Sequence, residues 1–407
     1  MEEWKEYRLG DLSKGKGSYG IAASAVPFSS SLHTYLRITD INDDGTLNKA
    51  GLMSVDEDNA ADYLLKPNDI VFARTGNSTG RSYFYDGSDG ELVFAGFLIK
   101  FSIDEEKVNP RILKYYTHSK PYYDWIRSFD TGGTRGNINA KTFASLPIIL
   151  PPRKLQDRIA SILSSLDDKI ELNRRINENL EAQAQALFKS WFVDFEPFSD
   201  GEFVESELGM IPKGWRVGSL SDIAEYINGL AMQNFRPEEG ESGLPVLKIK
   251  ELGQGGFDGN SELCSPSLIG KKYIINDGDI IFSWSGTLMV KIWCGGKCGL
   301  NQHLFIVVPK ETPKWFSYQW TKYHLDNFIR IAKDKAVTMG HIKRGELDKA
   351  KVSIPNEENM GKINSLMEPI FNKIISTELE SRRLATLRDT LLPRLMSGEI
   401  KVGDVTL

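Results

Sequence analysis

The side chains of this chain best suited to chemistry are hydrogen-bond donors set beside glycine, in short polar loops where backbone can approach a phosphate. Arg74-Thr75-Gly76-Asn77-Ser78-Thr79-Gly80-Arg81 is one such loop. Thr134-Arg135-Gly136-Asn137-Ile138-Asn139 with Lys141 is a second, and Arg37 and Thr39 stand at a strand edge. Each has a counterpart further along. Trp284-Ser285-Gly286-Thr287 with Lys291 answers the first, Thr338, His341, Lys343 and Arg344 the second, and Lys248 and Lys250 the third, beside a polar run Asn301-Gln302-His303. The chemistry these residues offer is contact with nucleic acid. Arginine pairs with guanine and asparagine or glutamine with adenine, each giving about 1–3 kcal/mol of discrimination, while lysine more often holds phosphate. For any single residue the alternative is a solvated loop; the recurrence of whole sets favours contact.

Patterns that resemble catalytic motifs do not carry through. Gly76-Asn77-Ser78-Thr79-Gly80 has the Gly-x-Ser-x-Gly spacing of a nucleophile elbow, and a strand precedes it. An elbow must enter a helix, whereas Arg81-Ser82-Tyr83-Phe84-Tyr85 continues as extended chain. The second copy has Leu288 at the serine position. Gly10 to Lys16 nearly spells a phosphate loop, but Gly17 occupies the place of the Ser or Thr that would hold magnesium. Cys264, Cys294, Cys298 and His303 have loose spacing for a metal site, and the first copy has no cysteine, so free thiols and no metal are expected. Around Pro151-Pro152 the residues that adenine methyltransferases use are missing, and no glycine motif for S-adenosylmethionine stands out. No catalytic residue and no bound cofactor are assigned: the chain is expected to recruit chemistry, not perform it.

The elements that position these loops are written twice. Trp4, Leu9, Asp11 and Leu12 recur as Trp215, Leu220, Asp222 and Ile223, and Leu36, Arg37, Ile38, Asp40 and Ile41 recur as Leu247, Lys248, Ile249, Glu251 and Leu252, an offset of 211 residues (Trp215 against Trp4). The offset is 210 where Asp69-Ile70-Val71-Phe72 matches Asp279-Ile280-Ile281-Phe282, and 204 where Thr134 to Ile138 matches Thr338 to Ile342. A period this long means two whole domains, not a solenoid. At 407 residues each copy is long enough to bury a core, and 41% apolar with 26% charged residues is the balance of a globular protein. No apolar run approaches the length of a membrane span and the first residues lack a signal peptide, so a cytoplasmic protein is expected. The net charge of −5 requires any positive surface to be local.

Within each copy the apolar pattern changes once. Ile70–Ala73, Leu92–Ala95 and Phe97–Ile99 read as strands, and Pro110 to Tyr123 as a helix with Ile112, Leu113, Tyr115 and Tyr116 inward. The order returns at Ile280–Phe282, Leu304–Val307 and Pro313 to Leu325. After Pro151-Pro152 the period becomes helical, with Ile159, Ile162, Leu166, Lys169, Asn173, Ile176, Leu180 and Leu187 on one seam. The second copy answers with Ile363, Leu366, Ile370, Lys373, Thr377, Leu384, Leu387 and Leu391, and Pro393 is expected to end it. Roughly 36 residues of helix make a rod of about 54 Å, and two such rods most simply pack together, antiparallel. Lys169, Asn173, Lys373 and Thr377 either fix the register of that pair or face water. The predicted organisation is 1–150 first domain, 151–192 first helix, 193–214 an acidic linker, 215–355 second domain, and 356–407 second helix and tail. The fold class is α+β: two mixed domains, pseudo-twofold related, separated by two long helices in an antiparallel coiled coil.

This order of parts, with Ala186-Leu187-Phe188-Lys189-Ser190-Trp191-Phe192 closing the first helix, Leu208-Gly209-Met210-Ile211-Pro212-Lys213-Gly214-Trp215 opening the second domain and Leu391-Leu392-Pro393-Arg394-Leu395-Met396-Ser397-Gly398-Glu399-Ile400 near the end, resembles the specificity subunit of type I restriction-modification systems. The resemblance implies two target-recognition domains, each reading one half of a bipartite, asymmetric site in double-stranded DNA. It also implies helices that dock two methyltransferase subunits, with S-adenosylmethionine held by those partners, and restriction/translocase subunits in the same system. Two other readings stay open: a scaffold whose domains bind protein, and an orphan specificity subunit that serves methylation only.

Overall fold

The computed structural model describes residues 4–129, 136–334 and 342–404. The chain forms two compact units, Met1–Lys169 with Leu384–Leu407, and Ile170–Arg383. The first holds a four-stranded sheet in the order Ser18–Tyr19, Leu98–Ser102, Asp69–Ala73, Ser82–Tyr85, and a three-stranded sheet in the order Met53–Val55, His33–Leu36, Leu92–Phe94. Lys5–Arg8 pairs antiparallel with Pro147–Leu150. The second repeats this arrangement with Ala224–Asn228, Leu304–Pro309, Ile280–Ser283 and Met289–Ile292 in one sheet. Its other sheets are Leu263–Cys264, Leu244–Leu247, Cys298–Leu300 and Ile274–Ile275, and the pair Arg216–Ser219 with Lys351–Ile354. The parallel strand pairing recurs as well, His33–Leu36 with Leu92–Phe94 and Leu244–Leu247 with Cys298–Leu300.

The unbroken apolar run 70–73 is a strand buried on both faces, which is what such a run signals. Ile70 and Phe72 join one core with the helices, while Val71 and Ala73 join another under the second sheet. Ile280 and Phe282 divide from Ile281 in the same way. An aspartate heads both runs because it closes the turn before them. Asp69 Oδ2 accepts the Lys66 N–H at 2.8 Å and Oδ1 the Ser102 hydroxyl at 2.6 Å; Asp279 Oδ2 accepts the Asn276 N–H at 2.9 Å.

Pro110 to Tyr123 is two helices, Pro110–Tyr116 and Lys120–Arg127, not one. Pro121 has no N–H for a continuing helix, so Ser119 turns extended (φ −89°, ψ 158°) and a new helix starts after it. Ile112, Leu113, Tyr115 and Tyr116 are all buried. The stretch 193–214 is more than a linker: it contains the 3-10 turn Glu196–Phe198 and a hairpin of Phe203–Ser206 with Gly209–Pro212. Phe195 and Phe198 pack on Trp215.

The long helices are Arg153–Phe192 and Glu357–Met396, each of 40 residues. The second runs through Pro369 and past Pro393 for three more residues, a correction to the expected stop. In the first unit Ile159, Leu163 and Leu166 share a core with Leu391, Leu392 and Leu395. In the second, Asn173 Nδ2 donates to Glu380 Oε2 at 2.9 Å and Asn177 Nδ2 to the Ile374 carbonyl at 3.3 Å; partner numbers fall as helix numbers rise, so the pairing is antiparallel. Asn173 and Thr377 are buried in the seam. Ile162, Lys169, Ile176, Leu180, Leu187, Ile370 and Leu384 are half-buried at its margins. Leu366, Lys373 and Leu387 instead face solvent, and Met367, Phe371 and Ile374 are buried beside Ile363 and Thr377. No helix among the described residues is long and apolar enough to cross a membrane.

Candidate nucleic-acid interface

Two of the donor sets meet in each domain through one backbone bond. The Ile138 N–H donates to the Arg74 carbonyl at 3.0 Å, and the Ile342 N–H donates to the Trp284 carbonyl at 3.2 Å. The loop after the central strand and the segment before the last small helix are therefore clasped alike in both copies. In the first domain the Arg74 guanidinium lies 5.1 Å from the centre of the Tyr19 ring, and the Tyr19 hydroxyl accepts the Ala140 N–H at 3.1 Å. The Arg74 N–H donates to the Phe97 carbonyl at 3.1 Å. Exposed around this point are Asn77, Asn137, Asn139 and Lys141, and the Asn139 side chain caps the next helix by accepting the Thr142 N–H at 2.9 Å.

In the second domain the Trp284 indole N–H donates to Asn228 Oδ1 at 2.9 Å. His303 comes alongside: its Nδ1 is 3.4 Å from Ser285 Oγ, its Nε2 3.4 Å from Gln302 Nε2, and its backbone N–H donates to Asn301 Oδ1 at 3.3 Å. Arg344 Nη2 donates to the Tyr226 carbonyl at 2.7 Å, and Lys343 and Thr287 are exposed.

Most of the remaining candidates that the structure describes are occupied within the fold. Arg37 donates from Nε and Nη2 to the buried Asp40 at 2.8 and 2.6 Å and from Nη2 to the Gly51 carbonyl. Thr39 is exposed next to it. Lys248 pairs with Glu262 at 2.6 Å and Lys250 with Asp258 at 2.7 Å. Arg81 is held by Asp43 at 2.7 Å and the Ile41 carbonyl at 3.0 Å. Ser78 is buried and Thr75 half-buried at the start of the 3-10 turn Gly76–Ser78. Lys291 turns away from the clasp, donating to the Gly253 carbonyl at 2.7 Å; burial pushes its pKa down while Glu378 opposes that shift. Arg135, Thr338 and His341 lie outside the described residues.

The motifs set aside as non-catalytic take ordinary places. Gly76–Ser78 leads into the strand Ser82–Tyr85 and not into a helix. Cys264, Cys294 and Cys298 are buried free thiols; burial pushes Cys264 up to about 11 and Cys294 up to about 12.

The family model described as the type I restriction modification DNA specificity domain matches residues 1–182 and again 212–387. The chain belongs to that family. It is 29% identical over 312 residues to the type I restriction enzyme MjaIX specificity subunit of Methanocaldococcus jannaschii, covering 74% of this chain and 72% of the other. With the HindI specificity subunit of Haemophilus influenzae it shares 26% identity over 478 residues, 98% of this chain and 100% of the relative. A solved type I restriction-modification S subunit from M. genitalium shares the fold, with a TM-score of 0.52 at 15% identity over 97% of this chain and 96% of that one. The family's two matched segments are the two copies that carry the clasp.

Sequence reasoning passed over Tyr19, Phe97 and Asn228. The signal that leads to them is a pair of glycines, Gly20 and Gly229. A Cβ on Gly20 would lie 2.1 Å from the Phe94 carbonyl oxygen, and one on Gly229 would lie 2.3 Å from the carbonyl oxygens of both Leu300 and Asn301. Two strands approach so closely there that only glycine fits. Gly20→Ala should cost about 1–3 kcal/mol, read as a lower urea midpoint, and shift Tyr19 off Arg74. An unchanged midpoint would show that the crossing relaxes freely.

Proposed function

We propose that this chain is the DNA-recognition subunit of a type I restriction-modification complex, reading a bipartite, asymmetric site with one half per domain and a gap set by the long helices. The observation that carries this is the repeated clasp. The same backbone bond presents Arg74 in one domain and Trp284 in the other, so two surfaces of one architecture offer different side chains. A reader of two half-sites about one helical turn apart, roughly 34 Å, needs such a pair on a stiff spacer. A single chain with unlike copies accepts unlike halves, which a symmetric homodimer does not. Family membership supports DNA as the ligand. The chain's own residues bind and position; the chemistry belongs to partners. Two methyltransferase subunits would hold S-adenosylmethionine and flip the target adenine from the stack, and restriction/translocase subunits would join through them.

The test is to co-express the chain with its cognate methyltransferase subunits and map N6-methyladenine across the host DNA. The expected result is one motif of two short, different half-sites around a fixed gap, in which exchange of residues 4–150 changes one half only. The logarithm of the binding constant for a duplex carrying that motif should fall linearly with log salt, with a slope of about −0.9 for each phosphate neutralised. A stable complex that yields no new motif and no salt-sensitive duplex binding would replace this reading with a protein-binding scaffold.

A further inference from the structure

We infer that Tyr19, Arg74 and Phe97 in the first domain, and Asn228, Trp284 and His303 in the second, occupy the same three positions of one base-reading tile, and that their side chains are what make the two half-sites differ. This rests on the DNA-reading function proposed above and assigns its specificity to particular residues.

The equivalence comes from backbone, not from side-chain likeness. Gly20 N–H donates to the Leu98 carbonyl as Gly229 N–H does to that of Leu304, at 3.3 and 3.0 Å. Ile21 donates to Phe94 as Leu230 does to Leu300, and Gly96 donates to Ile21 as Gln302 does to Leu230. Ala95 donates to Leu36 as Asn301 does to Leu247, and Leu98 to Ala95 as Leu304 does to Asn301. Five matched bonds place Tyr19 where Asn228 stands and Phe97 where His303 stands. Arg74 and Trp284 match by the clasp. Positions 19 and 74 touch through a guanidinium over a ring, and positions 228 and 284 through an indole-to-amide hydrogen bond. The contact persists while every side chain in it has changed. A core would keep its chemistry along with its geometry; a surface selected to read different things keeps only the geometry.

The two tiles offer different recognition. In the first, Phe97 is 57% exposed and Tyr19 41% exposed, and the Nε of Arg74 is buried without a hydrogen-bond partner among the described residues. Scattered apolar residues on a surface are ordinary. Here the Tyr19 ring lies against a guanidinium whose planar fork suits O6 and N7 of guanine, and Phe97, whose carbonyl accepts the Arg74 N–H, offers an exposed apolar face to a thymine methyl or a base. The second tile has no guanidinium. The indole N–H of Trp284 goes to Asn228, and His303 is linked to Ser285 and Gln302, leaving amide and imidazole groups to face a base edge. At these three positions the first half-site therefore carries a guanine contact that the second lacks.

The test uses the full chain with its methyltransferase subunits and the methylation map described above. Arg74→Ala and Phe97→Ala should make the first half degenerate at one position or more, with Arg74→Ala lowering the modification rate at the parental site about ten- to a hundredfold, and the second half unchanged. His303→Ala should do the converse. If the unaltered protein gives a bipartite motif and these variants keep both halves and their rates, the tile is wrong while the function stands. If the unaltered protein gives no bipartite motif, the function falls and the tile with it. A variant that fails to co-purify with the methyltransferase is replaced by Arg74→Lys, which keeps the charge over Tyr19 but loses the fork, or by Phe97→Leu. Those replacements must also widen the first half only, and an unchanged motif in them overturns the proposal.

Discussion

Replacing Asp167 with alanine should destabilise the first unit by about 1–3 kcal/mol, because it removes the shared acceptor of two partly exposed cations and a buried phenol. Asp167 lies on the first long helix with its side chain 13% exposed. Its Oδ1 accepts from Arg388 of the second long helix at 2.9 Å, and its Oδ2 accepts from Lys114 at 2.7 Å and from the Tyr115 hydroxyl at 2.9 Å. Burial alone would raise the Asp167 pKa; the charge of Lys114 and the hydrogen bonds from Lys114 and Arg388 outweigh it and hold the carboxyl below the usual range. The folded value thus lies below the unfolded one, near 3.9. The stabilisation is present above about pH 4 and is lost as pH falls through the folded value. Urea titrations across pH should show the acid-side loss of stability shrink in Asp167→Asn. Asp167→Leu combined with Lys114→Met and Arg388→Met should recover most of what Asp167→Ala loses, since apolar groups of similar volume replace both cations that would otherwise lose their partner. A single Asp167→Ala costing under about 1 kcal/mol would place the cluster with exposed ion pairs.

Two neighbours on the second helix should differ widely on truncation to alanine. Met367 is 2% exposed, in a core with Ile363 and Phe371, whereas Leu366 is 47% exposed. Met367→Ala should cost about 2–5 kcal/mol and Leu366→Ala no more than about 0.5 kcal/mol, measured by denaturant unfolding of the full chain. Equal costs would mean that the helix is rotated from the seating seen here. The same rotation would bring Lys373 inward in place of Ile374, so Ile374→Ala and Lys373→Ala give an independent check.

That pair of leucine and methionine also marks where sequence reading stops. The predicted seam, 363, 366, 370, 373, 377, steps by three and four. The observed stripe, 363, 367, 370/371, 374, 377, steps by four and three. Both repeat every seven residues, and periodicity alone does not choose between them. What chooses is the shape of the domain lying on the helix: the aromatic ring of Phe371 packs against Tyr318, which seats Met367 and Ile374 inward. In sequence Pro393 reads as a stop because an interior proline forfeits one hydrogen bond. Tertiary burial of Leu391, Leu392 and Leu395 outweighs that loss and carries the helix to Met396.

The sequence by itself determined the doubling, the α+β class, the long helices after each domain and the strands at 70–73 and 280–283. These follow from local period and from a match between distant stretches, both of which survive in one dimension. It also picked out both halves of the clasp, 74 with 138 and 284 with 342, without revealing that they touch. Tertiary structure alone decided which donors remain at a surface. Arg37 and Arg81 look like free guanidinium groups in sequence, yet Asp40 and Asp43 claim them. Tyr19, Phe97 and Asn228 carry no motif, and only the strand register sets them beside Arg74 and Trp284. The reason is physical. Periodicity reports how a residue relates to its own helix or strand, whereas the partner of a polar side chain is set by sheet order and close approach between segments far apart in the chain, which no local pattern records.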